Sequence, residues 1–194
     1  MRFLILLLLV LSACSHEEKR PEEKTEKVPV SLNPAPDAGA SIETKQVAAE
    51  SNAPFSTEIR FKKGASSLSK ESKARLDKVL KQALKTGSVD EIEAYTWADQ
   101  EYPGEKAKKL PPKAHDLAQA RGEAIRSYFE KSGVKDKVKI ITMTERPEGL
   151  TKTLKLGDTH EKETFAETGV GTTDSKKAAT PKASRAAVMI ILKK

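Results

Sequence analysis

The chain has 194 residues, with 35 Lys and Arg against 28 Asp and Glu, for a formal net charge of +7. Its single cysteine excludes an internal disulfide and any cysteine-based metal centre. A length of this order holds one domain with extensions.

The extension at the front is distinctive. Arg2 places a positive charge before an unbroken apolar run, Phe3 to Leu11. That run is far short of the ~20 residues needed to cross a bilayer as a helix, and it fits the core of a secretory signal. Leu11-Ser12-Ala13-Cys14 follows. These residues resemble the lipobox of bacterial lipoproteins, in which the cysteine is acylated on its sulfur and becomes the new N-terminus. The alternative is an ordinary secreted protein with a free thiol. The resemblance implies a signal peptide over residues 1–13 and lipidation, including palmitate, at Cys14. Attachment is then through acyl chains alone. Ser15, rather than the Asp that marks inner-membrane retention, follows the cysteine, which implies the outer membrane.

Residues 14–54 change character. His16 to Lys27 reads HEEKRPEEKTEK, and Pro29, Pro34, Pro36 and Gly39 follow. So little apolar surface does not offset ordering entropy, so a disordered periplasmic tether is expected. About forty residues span ~35 Å as a flexible coil and ~130 Å pulled straight. A passive spacer is the preferred reading, and amphipathicity over Ile42 to Ala49 is weak.

Residues 55–194 read as one domain. Phe55, Thr57, Ile59 and Phe61 alternate onto one face of a strand. Ser69 is an N-cap candidate for a helix whose Leu76, Val79, Leu80, Ala83 and Leu84 share a face, and Gly87 ends it. Val89 to Thr96 is a second strand. A second helix runs from about Ala114 to Lys131, stopped by Gly133. Val138 to Thr144 and Ser184 to Leu192 are the third and fourth strands. Between them, residues 145–183 form a long loop with sparse apolar positions, among them Leu154 and Leu156, which alternate enough for a small hairpin. The expected fold class is α/β: a β-α-β-α-β-β sandwich with helices packed on one face of a four-stranded sheet.

Several words in this order resemble the OmpA-like, peptidoglycan-associated domain. Ile59-Arg60-Phe61 before Gly64, with Ser67-Leu68 and Leu76-Asp77, is similar to its first strand and helix. Ala94-Tyr95-Thr96 is similar to the Gly-Tyr/His-Thr-Asp word that ends its second strand. Leu117 to Ile125 (LAQARGEAI) is similar to its Leu-Ser-x-x-Arg-Ala-x-x-Val helix, and Ser184-Arg185 stands where the family has Asn-Arg-Arg. The resemblance implies non-covalent binding of peptidoglycan through the diaminopimelate-bearing stem peptide. An Asp after the second strand takes the ammonium. A helical Arg takes a carboxylate, which a planar guanidinium matches with two parallel bonds.

Carried over by position, the helical Arg is Arg121. The family Asp falls on Trp97. Asp99, two residues on, is either a substitute or an ordinary loop acid. The family Asn and Ser fall on Ala114 and Ala118, and Arg185 alone remains of the last-strand pair. The candidate ligand-binding set is therefore Arg121, Asp99, Trp97, Thr96 and Arg185, with the ammonium-binding half out of place. Trp97 is either a stacking platform or a loop residue covering a hydrophobic edge.

From Phe55 on, twenty-nine Lys and Arg face twenty Asp and Glu, a net of +9. Such a field attracts anionic polymers, and Lys106, Lys108, Lys109 and Lys113 cluster in one loop. No nucleic-acid motif accompanies it. His16, His115 and His160 lack metal-ligand spacing, and no nucleophile elbow or phosphate-cradling loop occurs, so neither an enzyme nor a cofactor is expected. The resemblance implies an outer-membrane lipoprotein holding the cell wall; the alternatives are a degenerate OmpA-like domain binding envelope proteins as an assembly subunit, and other periplasmic roles.

Overall fold

A computed structural model describes residues 39–147, 158–167 and 183–194. The chain divides into Met1–Ser31 and Leu32–Lys194, and all described residues belong to the second unit. Cys14, most of the expected tether, and Leu154 and Leu156 lie outside the described residues.

Four strands form one sheet in the order β1-β4-β2-β3, with β1 Phe55–Arg60, β2 Val89–Thr96, β3 Val138–Thr142 and β4 Arg185–Leu192. β4 lies between β1 and β2, antiparallel to both, while β2 and β3 pair in parallel. A parallel pair needs a crossover, and the helix between β2 and β3 supplies it.

Two long helices cover one face, as the sequence led us to expect. Helix α2, Lys70–Thr86, is capped by Ser69, whose side chain accepts from Ser72 N–H, and Gly87 closes it. Helix α3, Pro112–Lys131, begins two residues before the expected start. Proline is well suited to that position because the first helical N–H has no partner within the helix. Leu76, Val79 and Leu80 of α2 and Ile125 and Phe129 of α3 meet Ile59, Ile92, Ala94, Val188 and Ile190 of the sheet in the main core. Gly122 lets α3 approach β3: a Cβ there would stand 2.3 Å from Ile140 Cγ2.

The opposite face is covered too, which the sequence did not reveal. Alternation turns Tyr95, Ile141, Met143, Ala187 and Met189 onto that face, where they form a second core with Trp97, Tyr102 and Phe165. Two short helices close it, α1 Ile42–Glu50 and α4 Thr159–Glu167. The helices of this domain are thus not confined to one face. Helix α1 lies inside the stretch assigned to the tether, and α4 inside the stretch assigned to the long loop. Each has nine residues, too few for a stable helix in isolation, so packing holds them. Val47 and Ala48 are buried in α1 and Phe165 in α4. Thr164 Oγ1 donates to Glu50 Oε2 at 2.7 Å, joining the two helices. Among the described residues, no helix is long and apolar enough to cross a membrane.

Candidate functional site

Arg121 projects from the middle of α3 toward the ends of β1 and β2. Its side chain is fully buried, and such a charge is costly unless it is paired. The chain supplies the partners. Nε donates to Ala65 O at 2.9 Å and Nη1 to Trp97 O at 2.7 Å. Nη2 donates to Lys62 O at 3.3 Å and to Asp99 Oδ1 at 2.5 Å. The Phe61 ring lies 5.0 Å from the guanidinium carbon, a cation–π distance.

Asp99 is the second centre. Besides Arg121, Ser184 Oγ donates to Oδ1 at 2.6 Å, and the Gly64 N–H donates to Oδ2 at 2.5 Å. Three segments distant in sequence therefore meet on one carboxylate. Partial burial raises its pKa, but the hydrogen bonds from Ser184, Arg121 and Gly64 and the Arg121 charge outweigh this, and the net shift is downward. The Asp99 side chain keeps 19% exposure, so this acid reaches the surface while its guanidinium partner does not.

Ser184 and Gly64 are site residues that the sequence reading missed. Ser184 has φ 59° and Gly64 φ 71°. The left-handed region is uncommon for a non-glycine residue, and at Ser184 it carries the hydroxyl to Asp99. The available signal was the Ser184-Arg185 word, which stands where the resemblance places Asn, a residue that tolerates this conformation.

The remaining candidates are turned inward. Thr96 is buried on the main-core side, and its hydroxyl has no hydrogen-bond partner. Trp97 is fully buried on the other face, edge-on to Phe165 at 5.2 Å. Arg185 lies over the Trp97 ring at 4.2 Å, on the sheet face away from Arg121. Its Nη1 donates to Glu58 Oε1 at 2.7 Å, while Nε and Nη2 are buried without a partner. Burial pushes its pKa down, against the pull of Glu58. Arg121 and Asp99 are therefore brought together, whereas Trp97 and Arg185 belong to the second core. The reason is the strand period of two: Trp97 and Asp99 have the same parity, but the chain leaves the sheet after Thr96 and swings Asp99 back toward α3.

Ala114 and Ala118, which stand at the family's Asn and Ser, are buried with Ala98 and Leu110 in a small apolar cluster. It fills the space between the loop after β2 and the first turns of α3. Among the described residues, no cluster of His, Cys, Asp and Glu could hold a metal.

The OmpA family matches residues 60–166, more than half of the chain. The chain belongs to the OmpA family. Solved structures similar to it include the OmpA-like domain of FopA1 from Francisella tularensis subsp. tularensis SCHU S4. That structure shows 12% identity over 69% of this chain and 70% of that one, with a TM-score of 0.43. The peptidoglycan-associated lipoprotein from Burkholderia pseudomallei shows 16% identity over 69% and 88%, with a TM-score of 0.37. A putative MotB like protein from Desulfovibrio vulgaris shows 13% identity over 78% and 92%, with a TM-score of 0.40. No curated protein sequence matches the chain. Within the OmpA family match lie Arg121, Asp99 and the loop carrying Gly64, while α1 and β4 lie outside it.

Proposed function

We propose that this chain is an outer-membrane lipoprotein, acylated at Cys14, whose OmpA-family domain binds peptidoglycan without catalysis and holds the membrane to the wall. The observation that carries this reading is the Asp99–Arg121 pair. The family Asp is missing from its usual position, yet Asp99 arrives at the helical Arg from two residues further on. Its exposed edge can meet the ammonium of a diaminopimelate stem peptide, and Arg121 fixes that edge in place.

One observation favours a second reading. Arg121 spends its hydrogen bonds on the chain itself, and Ala114 and Ala118 stand where polar residues would line the ligand. A site closed in this way suits a domain that has kept the family fold and binds other envelope proteins as an assembly subunit.

The test uses the mature chain, residues 14–194 with Cys14→Ser, sedimented with purified sacculi. Binding that is competed by free diaminopimelate-containing peptide and falls at least tenfold in Asp99→Asn supports the wall-binding reading. Absence of binding by the unsubstituted chain moves the function to the assembly reading. For the anchor, palmitate labelling of the full chain should mark the native protein and not Cys14→Ser.

A further inference from the structure

The two helices on the main-core face differ in charge on their outer sides. Helix α3 shows three exposed or half-exposed cations, Lys113, Arg126 and Lys131, against three such anions, Asp116, Glu123 and Glu130. Helix α2 carries six cations against two anions over Lys70–Thr86. Its buried face is Ser72, Leu76, Val79, Leu80 and Ala83. At 100° per residue, Lys70, Lys78, Lys81 and Lys85 fall together on the opposite side, with Lys73 and Leu84 flanking them.

At 100° per residue both acids of α2 border this stripe, Glu71 beside Lys78 and Asp77 beside Lys70. Asp77 accepts from Tyr128 Oη at 2.7 Å. Glu71 lies in the first turn, where its own backbone N–H and Ser69 hold its pKa down. Among the described residues, Lys70, Lys73, Lys81 and Lys85 form no ion pair. Among the described residues, Leu84, at 53% exposure, is one of two large apolar side chains left in solvent. Lysines 70 to 85 extend along about 22 Å of helix.

We infer that the outer face of α2 docks on an anionic lipid leaflet, with its lysines at the headgroup phosphates and Leu84 at the acyl boundary. The face is a straight convex ridge, which offers a discrete ligand no concave grip but suits a two-dimensional array of charge. Lysine is a compact, hydrated point charge on a long apolar stem, adapted to such an array rather than to bidentate capture of one carboxylate. Leu84 adds one exposed apolar side chain beside the lysines, which can enter the boundary between headgroups and acyl chains. The chain's entry point agrees: Gly39, the first described residue, lies against α2, with Arg75 Nη1 donating to its carbonyl at 3.4 Å. The described part of the chain thus begins beside this helix. The inference rests on the envelope location proposed above, but not on peptidoglycan binding.

The experiment is co-sedimentation of the mature chain, residues 14–194 with Cys14→Ser, with vesicles of phosphatidylethanolamine and phosphatidylglycerol, and with neutral phosphatidylcholine vesicles. Removing residues 1–13 takes away none of the described fold. The chain should bind the anionic vesicles, and binding should weaken with salt. The variant K70Q/K73Q/K81Q/K85Q should lower partitioning several-hundredfold, at roughly fivefold per lysine. The loop variant K106Q/K108Q/K109Q/K113Q should retain most binding, and Leu84→Gln should weaken binding without changing its salt dependence. The four substituted lysines are exposed, so the melting temperature should be unchanged, which separates lost docking from unfolding. Equal losses in the two lysine variants, or no binding to anionic vesicles, would overturn the inference. So would an α2 variant that binds vesicles normally but loses sacculi, which would assign the ridge to the wall. Vesicle binding that appears only after Glu17, Glu18, Glu22, Glu23 and Glu26 are changed to Gln would assign it to the chain's own N-terminal segment. Failure on sacculi with success on vesicles leaves this inference standing and removes the other.

Discussion

Arg121 and Asp99 meet at 2.5 Å, the guanidinium fully buried and the carboxylate partly exposed. The pair is asymmetric as a result. Arg121 also holds the carbonyls of Lys62, Ala65 and Trp97, so it ties the loop after β1 to the end of β2. Its first role is structural, and whatever binds at the surface meets Asp99 before it meets Arg121.

Arg121→Ala should therefore destabilise the fold as well as weaken any ligand. Removing one partner of a buried pair costs ~3–5 kcal/mol because the other partner and its neighbours are left unsatisfied. Arg121→Lys should recover little, since one ammonium cannot reach acceptors spread around a planar fork. Urea denaturation checks this. A midpoint shift under about 1 kcal/mol for Arg121→Ala would show the network to be dispensable.

The Asp99 carboxyl is held below its ordinary value of 3.8. A depressed folded-state pKa contributes stability above the unfolded value and loses it as pH falls through the folded value. The native chain and Asp99→Asn should therefore differ most near neutral pH and converge as pH drops below about 4. Melting temperatures of both proteins from pH 7 to pH 2 measure this. Curves that stay parallel throughout would remove Asp99 from the acid response.

Placing an acid at the family position should fail. Trp97 is fully buried against Phe165 and the Arg185 guanidinium, so Trp97→Asp opens a large cavity and puts a carboxylate inside it. Loss of a buried Trp alone costs ~3–5 kcal/mol. The substitution should unfold the domain rather than restore a ligand group. As the only tryptophan in the chain, Trp97 should also emit at short wavelength and resist iodide quenching. Free quenching would contradict its burial.

The elements of the main core were legible because they are long and periodic: the α2 face, the Ser69 cap and the bounds of β2 could all be read from residue spacing. Helices α1 and α4 were not. Each is two and a half turns long and short of apolar residues, and Val47 or Phe165 acquires meaning only against the second core. At the site, Arg121 was legible because Leu117 to Ile125 resembles the family's helix word, which carries an Arg at that position. The inward turn of Trp97 and Arg185 was not, because their burial depends on those same two short helices. That Asp99 reaches Arg121 depends on the path of a loop, which has no period to read.

Gly122→Ala should be destabilising although alanine is the better helix former. The propensity gain is ~1 kcal/mol. Against it, the new methyl would lie 2.3 Å from Ile140 Cγ2 and 3.1 Å from Cγ1, and overpacking costs ~1–3 kcal/mol. In a double-mutant cycle, Ile140→Ala should cost less in the Gly122→Ala background than in the native one, since it removes both crowded atoms. Additive effects would mean that α3 shifts freely and that the close approach is not constrained.

Glu58 joins α1 to the sheet. Its Oε1 accepts from Ser41 Oγ at 2.5 Å, Thr44 Oγ1 at 2.6 Å and Arg185 Nη1 at 2.7 Å. The first two belong to the N-cap and first turn of α1, so one carboxylate both starts that helix and neutralises the buried arginine beneath it. Glu58→Ala should cost ~3–5 kcal/mol by leaving Arg185 uncompensated. Ser41→Ala, which removes only the cap and the hydroxyl's hydrogen bonds to Glu58 and Thr44, should cost ~1 kcal/mol. The two should also differ in where protection is lost. Hydrogen exchange in Glu58→Ala should accelerate over Ile42–Glu50 and over Thr159–Glu167, which α1 meets through Glu50 and Thr164, while α2 keeps its protection. Deleting residues 39–50 should reproduce this and lower the melting temperature, as a passive tether would not. A deletion with no effect on melting would return α1 to the tether.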